Sequence, residues 1–280
     1  MATTWHTLAT RDVRLLRHQL DQISALPTDC LFQNYLRCHD DIGWGLDYPW
    51  LRQFGMEEVA HKKYLNDWFT GKWPGSRSRG ELYNDDPRLG DARLCGTTAS
   101  LCGLESAQTP EETALALACD IMLHAWMLTQ SGIPVLYSGD EIGQLNDNTY
   151  HQNPERCADS LYLHRGDFDW EKAALRGDLT TYQGRLFAAI REMETIRASE
   201  RVFRADAKIS TFDTGSNCVL GVCRELDGER FLGLFNFSEN PTHVFLGDIP
   251  FIDLAEKQDV TQKTVHLPAY GFLWLKEAKE

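Results

Sequence analysis

Leu31-Phe-Gln-Asn-Tyr-Leu-Arg-Cys38 is a short β-prone run that leads directly into His39-Asp40-Asp41. The same pattern returns later in the chain: Ile133-Pro-Val-Leu-Tyr137 is apolar and is followed by Ser138-Gly139-Asp140-Glu141. Each stretch predicts a strand whose C-terminal end delivers acidic side chains. Helical patterns surround both. Trp5 to about Leu26 sets Leu8, Leu16, Leu20 and Ile23 near one face and is ended by Pro27. A second helix is expected over Glu57 to Phe69, with Val59, Tyr64, Trp68 and Phe69 as its apolar contacts. Thr109-Pro110-Glu111-Glu112 places a capping Thr before a Pro and two acids, the apolar body follows from Ala114 to Leu128, and Gly132 closes it. A last helix is predicted from about Tyr182 to Ser199. Strands alternating with helices imply a parallel sheet, and in such sheets ligands sit beyond the strand C-termini. His39-Asp40-Asp41 and Asp140-Glu141 fall at those positions.

After Glu200 the period changes to two. Lys208–Phe212, Cys218–Arg224, Phe231–Phe237, His243–Leu246, Thr264–Leu267 and Phe272–Leu275 are candidate strands, separated by turn residues such as Asp227-Gly228 and Gly247-Asp248. This spacing predicts an antiparallel β-sandwich. The chain therefore reads as α/β followed by all-β, with domains at 1–203 and 204–280. Residues 71–91 are rich in Gly, Pro, Asp and Arg and are expected to be a long functional loop inside a loop-rich insertion at about 45–95. A second loop-rich stretch runs from Asn146 to Asp169.

The chain has 280 residues, with 28 Lys and Arg against 41 Asp and Glu, a formal net charge of −13. That balance argues against a nucleic-acid partner, because phosphate binding needs clustered cations, and leaves uncharged ligands such as sugars open. No apolar run approaches the roughly 18 residues of a membrane span, so no membrane partner is expected. No secretion signal is visible, which predicts a cytoplasmic location, although the chain starts abruptly as a piece of something longer would. The eight cysteines form no C-x-x-C pair and none sits at metal spacing with a histidine, so reduced, mostly buried thiols and no metal are expected.

Asn34-Tyr-Leu-Arg-Cys-His39-Asp40-Asp41-Ile-Gly-Trp44 resembles the strand-7 motif of the α-amylase superfamily, glycoside hydrolase family 13. Ile133-Pro-Val-Leu-Tyr-Ser-Gly-Asp-Glu-Ile-Gly143 resembles its strand-8 segment. Gly90-Asp-Ala-Arg93-Leu-Cys-Gly-Thr-Thr-Ala-Ser-Leu101 is similar to the amylosucrase and sucrose hydrolase branch. The resemblance covers essentially the whole chain. It implies the C-terminal part of a (β/α)8 TIM barrel plus a C-terminal β-sandwich. It also implies a retaining enzyme that splits sucrose or transfers glucose to a glucan, without cofactor or metal. Retaining glycosidases use a nucleophile and an acid/base carboxyl about 5 Å apart. The resemblance makes Asp40, with His39, the transition-state stabiliser and puts Asp41 and Arg93 in the neighbouring acceptor subsite. The family's nucleophile and acid/base lie on strands 4 and 5, upstream of the segment resembled, and no substitute stands in this sequence. Two positions depart from the branch: Leu161 stands where relatives carry an Arg that closes the glucosyl pocket, with Arg156 or Arg165 nearby, and Lys62 stands where amylosucrases carry Arg.

Other readings of these residues remain open. A truncated relative could bind sugar or glucan without turnover. Asp140 and Glu141 are read as structural, hydrogen-bonding loop backbone rather than catalysing. Arg93 could pair with a nearby acid or meet a ligand. Trp44, Trp50, Trp68 and Trp73 are read as core in preference to sugar-stacking platforms. Oligomeric state is not readable from the sequence.

Overall fold

The computed structural model describes residues 1–27 and 30–278; the last two residues of the expected 204–280 domain lie outside them. The chain divides into two compact units. One comprises Met1–Ala9, Tyr35–Asp120 and Leu136–Ala188, the other Thr10–Asn34, Ile121–Val135 and Ala189–Glu280.

The first unit is organised by aromatic side chains. Trp5 is fully buried, donates its indole N–H to the Leu36 carbonyl at 2.8 Å and meets Phe69 edge-on. Trp44 stacks on Phe69 with centroids 5.6 Å apart and donates to Asn66 Oδ1 at 2.8 Å. Trp44 and Trp68 are thus core, while Trp73 is exposed and its ring meets Tyr64 edge-on. The helix Glu58–Phe69 falls where the sequence predicts it.

Residues 71–80 hold no helix or strand, as expected of a loop, but from Glu81 the stretch 71–91 differs from the expected structureless loop. Glu81–Asp86 pairs antiparallel with Asp91–Cys95, and Ile42–Gly43 adds to the far edge of the second strand. Ala92 and Leu94 point inward while Asp91 and Arg93 point out, a period of two too short to stand out among polar neighbours. The connecting turn 87–90 contains Pro87 and Gly90; the Asp86 carboxylate accepts from the Arg88 N–H and Gly90 takes φ +65°.

The single helix expected over Trp5–Leu26 is two, Ala2–Thr10 and Arg14–Ser24. Arg11 takes a left-handed conformation between them, and the Asp12 carboxylate accepts from the Arg14 N–H and side chain in a turn just ahead of the second helix. Helices Pro110–Thr129 and Tyr182–Ser199 lie as predicted, the first capped by Thr109 Oγ1 accepting from the Glu112 N–H.

In the second unit the predicted strands at 31–38 and 133–137 are much shorter than expected. Gln33–Asn34 pairs in parallel with Ile133–Pro134, two residues on each side. This is the one parallel pairing among the described residues, where the sequence predicts the end of a barrel. A parallel strand extends only where a neighbour meets its backbone groups, and here each strand has a neighbour on one edge.

The all-β part follows its prediction closely. Six antiparallel strands run in the spatial order Gln258–Val260, Phe251–Asp253, Phe272–Glu277, Glu229–Asn236, Val219–Leu226, Lys208–Phe212. A two-stranded sheet pairs Thr242–Phe245 with Thr264–Leu267. Val219, Leu232, Leu234 and Leu275 from the larger sheet share one buried cluster with Val244, Val265 and Leu267 from the smaller, so the sheets face each other as a sandwich. Phe251–Asp253 and Gln258–Val260 went unpredicted because three residues carry too little periodicity.

Arg224 is fully buried and its guanidinium donates to the carbonyls of Val202 (2.6 Å), Thr129 (2.7 Å) and Arg204 (2.7 Å). Burial pulls its pKa down to about 10, which leaves it cationic at neutral pH. Arg197 donates to the carbonyls of Leu128 and Gly132. Together the two arginines satisfy carbonyls that the end of helix Pro110–Thr129 leaves without helical partners, at the end where the dipole favours cations.

All eight cysteines are free. Cys95, Cys119 and Cys223 are buried, whereas Cys30 and Cys157 are exposed and Cys38, Cys102 and Cys218 are half-buried, so burial is less general than the sequence suggested. No helix among the described residues is long and apolar enough to cross a membrane.

Candidate functional site

The four predicted site residues lie in the first unit and come together in two adjoining pairs. His39 and Asp40 project into solvent, 67% and 62% exposed, with His39 Nε2 3.4 Å from Asp40 Oδ2. Asp41 turns inward, and Arg93 Nη1 stands 3.6 Å from its Oδ1. Burial raises the Asp41 carboxyl above its ordinary range, with the Arg93 cation opposing the shift.

Arg93 reaches Asp41 because of strand register. Gly43 lies opposite Arg93 in the sheet, and a Cβ at Gly43 would fall 2.6 Å from Arg93 Nη1. The guanidinium crosses the space that the missing side chain leaves open. Gly43 is therefore a site residue with no local sequence signal, since the pairing that makes it one spans fifty positions.

A second support involves Arg165, which the sequence reading names only as a neighbour of Leu161, and His164, which it leaves out. The turn Ser160–His164 carries His164 and Arg165 under the His39 peptide. His164 Nδ1 accepts the Gly96 N–H at 3.2 Å, and its Nε2 faces the His39 carbonyl at 3.2 Å. These contacts fix a neutral ring that donates from Nε2. Burial holds its pKa down to about 4. Arg165 Nε donates to the same His39 carbonyl at 2.6 Å, while its Nη2 stands 3.5 Å from Asp40 Oδ1. One backbone carbonyl thus anchors two donors, and Asp40 faces a cation.

The departures from the resembled branch have visible consequences. Leu161 packs against the cluster of Cys95, Tyr150 and Leu163. Of the two nearby arginines, Arg165 is at Asp40, whereas Arg156 lies over the Tyr162 ring. Lys62 bridges Glu58 (3.0 Å) and Asp91 (3.5 Å).

Asp140 and Glu141 hold the surrounding chain. Asp140 forms a buried pair with Arg37 and accepts from Thr98 Oγ1, and Glu141 accepts the Gly139 N–H at 2.8 Å. Glu141 holds loop backbone as the sequence predicts, whereas Asp140 accepts from the side chains of Arg37 and Thr98. The sequence placed no cysteine with a histidine at a metal-binding spacing; the fold nevertheless gathers one donor atom each from Cys38, His39 and Asp40 within 4.8 Å.

Chemically, the rim offers an imidazole, two carboxylates and two guanidinium groups to a hydroxyl-rich ligand. Asp40 can accept from hydroxyls, and His39 and Arg93 can donate to oxygens.

No protein-family profile matches the chain. Among curated proteins, the glucosylglycerate phosphorylase of Escherichia coli is 25% identical over 158 residues, which is 56% of this chain and 28% of that protein. Among solved structures, an AmyP variant in complex with maltotriose overlays with a TM-score of 0.48 and 16% identity, covering 64% of this chain and 38% of that one. The trehalulose synthase MutB of Pseudomonas mesoacidophila overlays at 0.43 with 20% identity, covering 57% of this chain and 38% of that one. Over somewhat more than half its length, then, this chain is similar to part of a glucosylglycerate phosphorylase, and it spans less than a third of that relative.

Proposed function

We propose that the chain is the C-terminal portion of a family 13, α-amylase-superfamily enzyme that acts on an α-glucoside, in the sucrose-cleaving amylosucrase or sucrose hydrolase branch. In this reading residues 1–203 are the end of the catalytic barrel, with an insertion at about 45–95, and 204–280 are its sandwich domain. The observation that carries the reading is the convergence of His39, Asp40, Asp41 and Arg93 on one rim, with Arg165 against Asp40. The similarity to glucosylglycerate phosphorylase supports it.

The proposed roles follow from the groups. Asp40 accepts from sugar hydroxyls, and its hold strengthens as the ring gains oxocarbenium character, which lowers the barrier. His39 donates to a neighbouring sugar oxygen. Asp41 and Arg93, already paired, line the acceptor side. The nucleophile and acid/base are supplied by sequence outside these 280 residues, so the isolated chain binds sugar without turning it over.

Binding of sucrose and of maltotriose to the full chain, followed by saturation-transfer NMR, tests this. Binding that disappears in Asp40→Ala is expected, together with no glucose release from sucrose by either protein. Equal binding in Asp40→Ala would remove the site assignment, and glucose release by the parent chain alone would overturn the assignment of nucleophile and acid/base to another segment.

A further inference from the structure

We propose that Cys38, His39 and Asp40 form a binding site for one thiophilic divalent cation of the zinc type. A thiol, an imidazole and a carboxylate each bring one donor atom within 4.8 Å of the others. His39 Nε2 and Asp40 Oδ2 are 3.4 Å apart, close to the roughly 3.3 Å that two donors keep when each bonds a tetrahedral zinc at about 2.0 Å. In an extended strand three consecutive side chains would alternate between faces. Here the chain bends at His39 and Asp40, and the Cys38 sulfur turns back to accept the Asp40 N–H at 3.5 Å. Arg165 stands against Asp40 Oδ1, which leaves Oδ2 on the His39 side.

The donor set selects the metal. Thiolate with imidazole favours zinc, cobalt or cadmium over magnesium or calcium, which take oxygen ligands. Coordination replaces the thiol proton, which passes to solvent. Three protein donors on an exposed rim leave the fourth position to water. Two of the donors are the side chains assigned above to the sugar, so a bound ion closes the site to sugar; that consequence rests on the proposed function, whereas the binding itself does not.

Cadmium titration of the reduced full chain, in a Cys30→Ser/Cys157→Ser background that removes the exposed thiols, reads this directly. One bound cadmium is expected, with a thiolate-to-metal charge-transfer band in the ultraviolet. Cys38→Ser should abolish the band, and His39→Ala and Asp40→Asn should each raise the dissociation constant at least tenfold. A band that survives Cys38→Ser, or an affinity unchanged by both His39→Ala and Asp40→Asn, would overturn the site. Sugar binding is measured separately, so failure of that reading leaves this result standing.

Discussion

Arg37 and Asp140, 103 positions apart, meet as a buried ion pair, Nε to Oδ1 at 2.8 Å, with each side chain 3% exposed. The pair joins the two sequence stretches that carry acidic ends. Its remaining groups are also engaged: Arg37 lies over the Tyr137 ring and donates to the His164 carbonyl, and Asp140 accepts from Thr98.

Removing one partner leaves the other charge buried. Arg37→Ala and Asp140→Ala should therefore each lose about 3–5 kcal/mol of stability in urea unfolding. The double variant Arg37→Met/Asp140→Leu should recover much of that loss, because no orphan charge remains. Single variants costing under about 1 kcal/mol would contradict this account of the pair.

Acid should weaken the fold through two buried histidines. Burial lowers both His164 and His61 from 6.5 to about 4. Between those values the unfolded chain holds more protons than the folded one, so stability falls as pH falls from about 6.5 to about 4. Above 6.5 their contribution is fully present, and below 4 they add no further slope. Unfolding free energy measured against pH should show this decline, and His61→Phe should flatten part of it. An unchanged slope in that variant would assign the acid sensitivity to other groups.

Arg165 ties the His39 carbonyl to Asp40. On the proposed function, Arg165→Gln should weaken sucrose binding about tenfold, or ~1.4 kcal/mol, while leaving thermal unfolding close to the parent because the group is partly exposed. Calorimetric titration checks this. Full affinity in Arg165→Gln would mean that Asp40 needs no such support.

Gly132 takes φ +108°, and a Cβ there would lie 2.1 Å from the Phe32 carbonyl oxygen. That oxygen accepts the Ile133 N–H at 2.8 Å at the start of the parallel pairing. Gly132→Ala should therefore both strain the turn and displace the pairing, costing on the order of 2 kcal/mol or more. Hydrogen exchange at the Ile133 and Val135 amides should rise in the variant; exchange unchanged from the parent would show that the turn relaxes without disturbing the strands.

Local pattern was enough for much of this protein. Helices Glu58–Phe69, Pro110–Thr129 and Tyr182–Ser199, and the longer strands after 207, follow from periodicity and capping within a dozen residues. The resemblance of two short motifs was enough to nominate His39, Asp40, Asp41 and Arg93. What decided the site's build was distant in sequence. Arg93 meets Asp41 through antiparallel register, His164 and Arg165 reach His39 across some 125 positions, and Arg37 finds Asp140. Periodicity records which face of one element is apolar. It holds no record of which element lies opposite, because that depends on the packing of the whole unit. So the sequence named the groups that could meet a sugar, and only the tertiary structure decided which cations and carbonyls hold them in place.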